Sequence, residues 1–166
     1  MDVARLFQEH HDALFRYLER YTGDPDLAAD AAQEAFVRLA RKGPRHDAHV
    51  RAWLFQVATN VVRDDRRAGR RRLALLEAKP DRVPGARPEP DPSEQTEREE
   101  LRLRVRAALD ALNQRERTIL LMREEGFTHR EIAAAVGTTT KSVGTMIARA
   151  LEKLSRQLGL EPEAVT

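Results

Sequence analysis

The sequence predicts an all-α fold of two small helical domains joined by a proline-rich linker, with a helix-turn-helix in the C-terminal domain. Three observations carry this. Ala, Leu, Arg and Glu dominate, aromatics make up only 5%, and few runs alternate apolar with polar residues, which favours helices over strands. Five prolines fall between residues 78 and 92, where no helix accommodates them. Thr128–Leu154 reads as two short helical patterns separated by a glycine and a hydroxyl-rich turn.

Each element follows in order. Val3, Leu6, Phe7, His10, Leu14, Leu18 and Tyr21 recur at helical spacing, and Gly23 ends the run. Asp24-Pro25 is an N-cap followed by proline at the first helical position. The second helix is expected to bury Leu27, Ala31, Ala35, Phe36 and Leu39 and to end near Lys42-Gly43-Pro44. Asp47 is placed to cap a third helix, whose apolar stripe is Val50, Trp53, Leu54, Val57, Ala58, Val61 and Val62. This helix is expected to run on into Arg66–Arg72, with Leu73, Leu75 and Leu76 adding a last packed turn. Asp91–Glu94 and Thr96–Glu99 both spell capping boxes. Leu101, Val105, Ala108, Leu109 and Leu112 then form one face. Asn113–Glu116 is a further box, opening a helix that carries Ile119, Leu120 and Met122. The predicted domains are residues 1–76 and 94–160, with a linker over 77–93 and a frayed tail over 161–166.

Composition narrows the function. The chain has 166 residues, 41% hydrophobic and 34% charged, enough for packed cores with large solvated faces. Its net charge of +2 conceals a pattern. Residues 63–76 carry six basic and two acidic side chains, residues 77–100 four and eight, and residues 101–166 eleven and eight. Two positive blocks flanking an acidic linker suit a polyanion contacted at two places. The absence of cysteine excludes disulfides, thiolate metal sites and cysteine nucleophiles. No apolar run reaches membrane-spanning length, the N-terminus lacks a signal-peptide core, and Met1 reads as the natural start. A cytoplasmic protein is expected.

Two segments are candidate DNA-facing surfaces. In the C-terminal motif Thr128 and Glu131 form a capping box, Gly137 ends the first helix, and the second begins near Thr139 or Thr140. On a helical wheel Val143, Ile147, Ala150, Leu151 and Leu154 face inward, while Lys141, Ser142, Thr145, Ala148, Arg149 and Glu152 face outward. Lys141 and Arg149 suit phosphates, and Ser142 and Thr145 suit groove contacts. An ordinary helical hairpin with a solvated face has the same pattern. In the third helix Gln56, Thr59, Arg63, Arg66, Arg67 and Arg70 oppose the apolar stripe, with Asn60 beside them. A solvated cationic face at a helix C-terminus is the plainer reading of these arginines.

Taken together, these residues resemble a bacterial RNA polymerase sigma factor of the extracytoplasmic-function group. The resemblance rests on L-F-R-Y-L-E-R-Y (Leu14–Tyr21), A-A-D-A-A-Q-E-A-F-V-R-L (Ala28–Leu39), R-A-W-L-F-Q-V-A-T-N-V-V-R-D-D-R-R (Arg51–Arg67) and residues 107–154, in that order around a proline-rich joint. It implies that Asp30, Gln33, Glu34 and Arg38 grip the clamp coiled coil of core RNA polymerase, whose flap receives the C-terminal domain. Residues 41–49, including Arg45 and His46, correspond to the loop that captures an unstacked base of the −10 element. Gln56, Asn60, Arg63, Arg66 and Arg67 would border the melted strand. Arg130, Thr139, Thr140, Lys141, Ser142, Thr145 and Arg149 would contact the −35 element. The linker would thread toward the RNA exit path, and an anti-sigma factor would occlude these surfaces until a signal arrives.

The chain departs from the family pattern at four places. Gly144 and Met146 stand where lysine and arginine are usual, removing positive charge from the recognition helix. Asn113 replaces a usual proline, and Ala40 a frequent tryptophan. No cofactor, metal or catalytic residue is expected. His10-His11-Asp12 and His46-x-x-His49 lack metal-site grammar, and Asp64-Asp65 sits among arginines that would pair with it. Two other functions fit parts of the sequence. One is a conventional helix-turn-helix regulator that binds DNA without polymerase docking. The other is a sigma-like decoy that binds polymerase or an anti-sigma factor without supporting transcription.

Overall fold

A computed structural model describes residues 1–75 and 96–160, which fall into two compact units, each all-helical. The expected linker, the Asp91–Glu94 box, Leu76 and the tail lie outside the described residues.

The first unit contains α1 (Val3–Thr22), α2 (Pro25–Lys42), a 3-10 turn (Asp47–His49) and α3 (Val50–Leu75). Local chemistry sets the helix ends. The Asp2 carboxylate accepts the Arg5 N–H, and Gly23 closes α1 at φ 69°, a left-handed conformation that costs glycine little. Asp24 accepts the N–H groups of Asp26 and Leu27, with Pro25 in the first turn, as the sequence predicts. Asp47 is not the cap of α3. It lies in the 3-10 turn and pairs instead with Arg5 on α1.

The core of this unit joins Leu6, Leu14, Tyr17, Leu18 and Tyr21 of α1 to Ala28, Ala31, Ala35, Phe36 and Leu39 of α2 and to α3. Each large apolar side chain buried in this way contributes about 1.5–3 kcal/mol. On α3 the buried residues are Val50, Leu54, Phe55, Ala58, Thr59 and Val62. The buried face is therefore rotated from the expected stripe: Trp53, Val57 and Val61 are only half-buried, and Thr59 leaves the polar face for the core. The rotation buries Phe55 against the Tyr17 ring, with centroids 5.0 Å apart, and carries Thr59 inside, where its hydroxyl is satisfied. Thr59 Oγ1 donates to the Phe55 carbonyl at 2.6 Å, so the Tyr17 hydroxyl donates to Thr59 Oγ1 at 2.9 Å. Tyr17→Phe leaves the threonine oxygen short of a partner and is expected to cost about 1 kcal/mol. Trp53, the one tryptophan in the chain, reports unfolding of this unit by its fluorescence. At the far end α3 continues through the arginine run, but Leu73 and Leu75 are 55% and 85% exposed, so they form no packed turn.

The second unit contains α4 (Glu97–Ala111), α5 (Gln114–Glu124), α6 (His129–Val136) and α7 (Thr140–Gln157). Thr96 precedes α4 without the expected side-chain cap. Only the C-terminal half of α4 packs. Ala108, Leu109 and Leu112 are buried, whereas Leu101, expected on the same face, is 54% exposed. The Asn113–Glu116 and Thr128–Glu131 capping boxes form in full. Glu116 does double duty, accepting the Asn113 N–H at 2.9 Å and the Lys153 ammonium at 3.1 Å, which ties α5 to α7. Ile119, Met122, Phe127, Ile132, Val143, Ile147 and Ala150 fill the core; Leu151 is partly exposed, against expectation.

Candidate nucleic-acid interface

In the second unit α6 and α7 form the predicted helix-turn-helix. Gly137 (φ 71°) supplies the left-handed residue that ends α6 and lets the chain turn within two residues into α7. Thr139 caps α7: its hydroxyl accepts the Ser142 N–H at 3.3 Å and meets the Ser142 hydroxyl at 2.8 Å. These two hydroxyls therefore hold the helix start, and Ser142 is half-buried. With Val143, Ile147 and Ala150 buried, the opposite face carries Lys141, Thr145 and Arg149, all exposed, with Thr140 exposed in the first turn. Arg130 is exposed at the start of α6. Glu152 shares the outward face of α7 and sets a carboxylate at its C-terminal edge.

Gly144 lies on α7 among these exposed residues. A Cβ added there would meet only His129 Cε1, at 3.9 Å, so no crowding demands glycine. Gly144→Ala is expected to stabilise the helix by about 1 kcal/mol, read as a raised unfolding midpoint. Gly144→Lys is expected to tighten DNA binding and steepen its log–log salt dependence by about one unit, measured by fluorescence anisotropy across a salt series.

In the first unit the rotation of α3 sorts the expected residues. Gln56, Asn60, Arg63 and Arg67 follow one another at helical intervals directly opposite the buried face, and Gln56, Asn60 and Arg67 are exposed. Arg66 is placed to the side and engaged elsewhere. Its Nη2 donates to the Thr22 carbonyl at 3.1 Å, and its guanidinium lies 5.9 Å from the Tyr21 ring centroid. Arg66 thus caps the C-terminal end of α1 and braces α3 against it. Arg45 and His46 are exposed in the connection between α2 and the 3-10 turn.

A different face is built by α2. Asp30, Gln33 and Arg38 are exposed and Glu34 is half-buried. They fall on one side of the helix, and Arg38 Nε donates to Glu34 Oε1 at 2.9 Å. Among the described residues no three His, Cys, Asp or Glu side chains cluster to hold a metal, and no helix is long and apolar enough to cross a membrane.

One unit thus presents a helix-turn-helix and the other a separate arginine-bearing helix with an outward polar face. Comparison with known proteins specifies the class. Residues 6–72 match the family model of sigma-70 region 2, and residues 102–154 that of sigma-70 region 4. The chain is 32% identical over 152 residues to the ECF RNA polymerase sigma factor SigE of Mycolicibacterium smegmatis, covering 90% of this chain and 58% of that one. It is 32% identical over 171 residues to the ECF RNA polymerase sigma factor SigL of Mycobacterium tuberculosis, covering 95% and 91%. Its fold is similar to that of the sigma factor RpoE solved with the anti-sigma factor NepR from Bartonella quintana, with TM-score 0.75, 18% identity and coverage of 96% and 98%. CnrH, solved in complex with the cytosolic domain of CnrY, matches with TM-score 0.65, 26% identity and coverage of 95% and 87%. The chain belongs to the extracytoplasmic-function group of RNA polymerase sigma factors.

Proposed function

We propose that this chain directs core RNA polymerase to specific promoters and assists strand opening at the −10 element. The observation that carries this reading is the exposed row Gln56, Asn60 and Arg67 on α3, with half-buried Arg63 between them, in a sigma-family chain that also holds a helix-turn-helix. Arginines at the C-terminal end of α3 hold strand phosphates, and the amides of Gln56 and Asn60 hydrogen-bond base edges. Arg45 and His46 flank an extruded base, whose removal from the stack costs roughly a few kcal/mol. Binding free energy from both DNA contacts offsets that cost, so the protein acts as a binding and positioning factor and not as an enzyme. On the second unit Arg130, Thr140, Lys141 and Arg149 contact phosphates and Thr145 enters the groove, with Thr139 and Ser142 acting through the helix start they cap. Arg66 acts on DNA indirectly, by fixing the direction of α3.

The domains in this reading are residues 1–76 for the clamp and −10 element, 77–93 as linker, and 94–160 for the flap and −35 element. Asp30, Gln33, Glu34 and Arg38 form the clamp-facing surface, where alternating charge suits a polar coiled coil. The proposed location is the cytoplasm, where polymerase and promoter DNA are. RpoE was solved with an anti-sigma factor, and we infer a comparable opposing partner for this chain.

Association with polymerase separates this reading from a conventional regulator. The full chain is expected to co-elute with core RNA polymerase in size-exclusion chromatography. Glu34→Lys, which breaks the Arg38 pair and reverses charge on the α2 face, is expected to weaken association about tenfold. A chain that binds duplex DNA tightly as a dimer and never co-elutes with polymerase is instead a conventional regulator.

A further inference from the structure

The segment between α2 and α3 is held from two sides. On the inside, Val50 is fully buried and the His49 N–H donates to the His46 carbonyl at 3.1 Å, closing the 3-10 turn. On the outside, Asp47 of the turn pairs with Arg5 of α1. Arg5 Nη2 donates to Asp47 Oδ2 across 42 residues of sequence, while Nη1 donates to Glu9 Oε1 at 2.9 Å. Glu9 lies one helical turn along α1 from Arg5, so it orients the guanidinium toward the turn.

Charge gives this contact a second role. Asp47 is the only carboxylate in residues 41–49, which otherwise carry Arg41, Lys42 and Arg45. A bare carboxylate there would repel a strand of phosphates. Paired with Arg5 it is neutralised, and the segment keeps its positive character.

We propose that Arg5 is a positioning residue for −10 recognition: it latches the 3-10 turn to α1 through Asp47, holding residues 45–49 ready for the unpaired strand. This rests on the promoter-opening function proposed above. Arg5 and Asp47 are 46% and 51% exposed, so the pair adds little to folding stability. Its effect is on the order of the segment and on strand capture.

The test uses the full chain in two assays. The first is hydrogen exchange at the amides of residues 45–49 in the free protein. The second is strand capture by holoenzyme, read from 2-aminopurine placed in the non-template −10 strand of a pre-melted promoter DNA. Arg5→Ala is expected to speed exchange at residues 45–49 while the Trp53-monitored unfolding midpoint stays unchanged. If the unlatched segment is competent about a fifth of the time, capture weakens about fivefold. The charge-swapped double variant Arg5→Asp/Asp47→Arg keeps net charge and is expected to recover both readouts, which a simple loss of positive charge would not. Wild-type capture with no change in Arg5→Ala, in exchange or in affinity, overturns the latch and leaves the sigma function standing. Wild-type holoenzyme that captures no strand overturns both.

Discussion

Replacing Arg117 is expected to unfold the second unit's α4–α5 junction and to cost about 3 kcal/mol. Arg117 is only 5% exposed. Its Nε donates to the Leu109 carbonyl at 3.0 Å, and its Nη2 donates to the carbonyls of Asp110 at 3.3 Å and Leu112 at 3.0 Å. Those oxygens lie at the C-terminal end of α4 and its cap, where the intrahelical ladder runs out; the Leu109 carbonyl also accepts the Leu112 N–H at 3.2 Å. A side chain from the next helix thus caps the helix before it, and its positive charge meets the negative end of the α4 dipole. Arg117→Met retains bulk but removes the side-chain donors from the Asp110 and Leu112 carbonyls and one of two donors from Leu109. Arg117→Lys keeps the charge but replaces the planar fork with a single point, and is expected to recover about half the loss. Hydrogen exchange resolves the effect by unit: protection should fall across residues 97–157 and stay unchanged across residues 3–75. Uniform protection in Arg117→Met would contradict the capping account.

The second large effect is functional and leaves the fold intact. Asn60→Ala combined with Arg67→Ala is expected to lower promoter opening by about a hundredfold, since one base-edge contact and one phosphate contact are lost together. Both side chains are exposed on the face of α3 opposite the core, so their removal leaves the packing of Leu54, Phe55, Ala58 and Val62 untouched. Association with core polymerase should be unchanged, because the α2 face is elsewhere. Permanganate reactivity of thymines in the promoter provides the measurement. If the double variant opens the promoter as well as wild type, α3 does not hold the melted strand.

The features legible in the sequence are those set by chemistry within a few residues. Asp24-Pro25, Gly23, the Asn113–Glu116 and Thr128–Glu131 boxes and Gly137 all act across one helical turn, and all are found where their residue types place them. The all-α class and the helix-turn-helix follow from them. What escaped the sequence depends on partners distant along the chain. Thr59 reads as a polar-face residue until Tyr17, 42 positions earlier, meets its hydroxyl in the core and packs on Phe55. Arg66 cannot be told from Arg63 or Arg67 by type, and only its contacts with Thr22 and Tyr21 set it apart. Arg117 sits in a capping-box helix beside Arg115, yet one is buried against carbonyls and the other exposed. Asp47 has the right type and place for an N-cap, but a guanidinium from α1 claims it. Leu73 and Leu75 continue the apolar pattern of a helix that has run past the elements able to cover it.

Run-off transcription tests the central claim most directly: core RNA polymerase and a pool of promoter fragments from the same organism, with and without the full chain. Specific new transcripts are predicted in its presence, and these should vanish with the Asn60→Ala/Arg67→Ala variant. Stable polymerase binding without any new transcript would contradict the account and make the chain a decoy, its Gly144 and Met146 the mark of a recognition helix that no longer reads DNA.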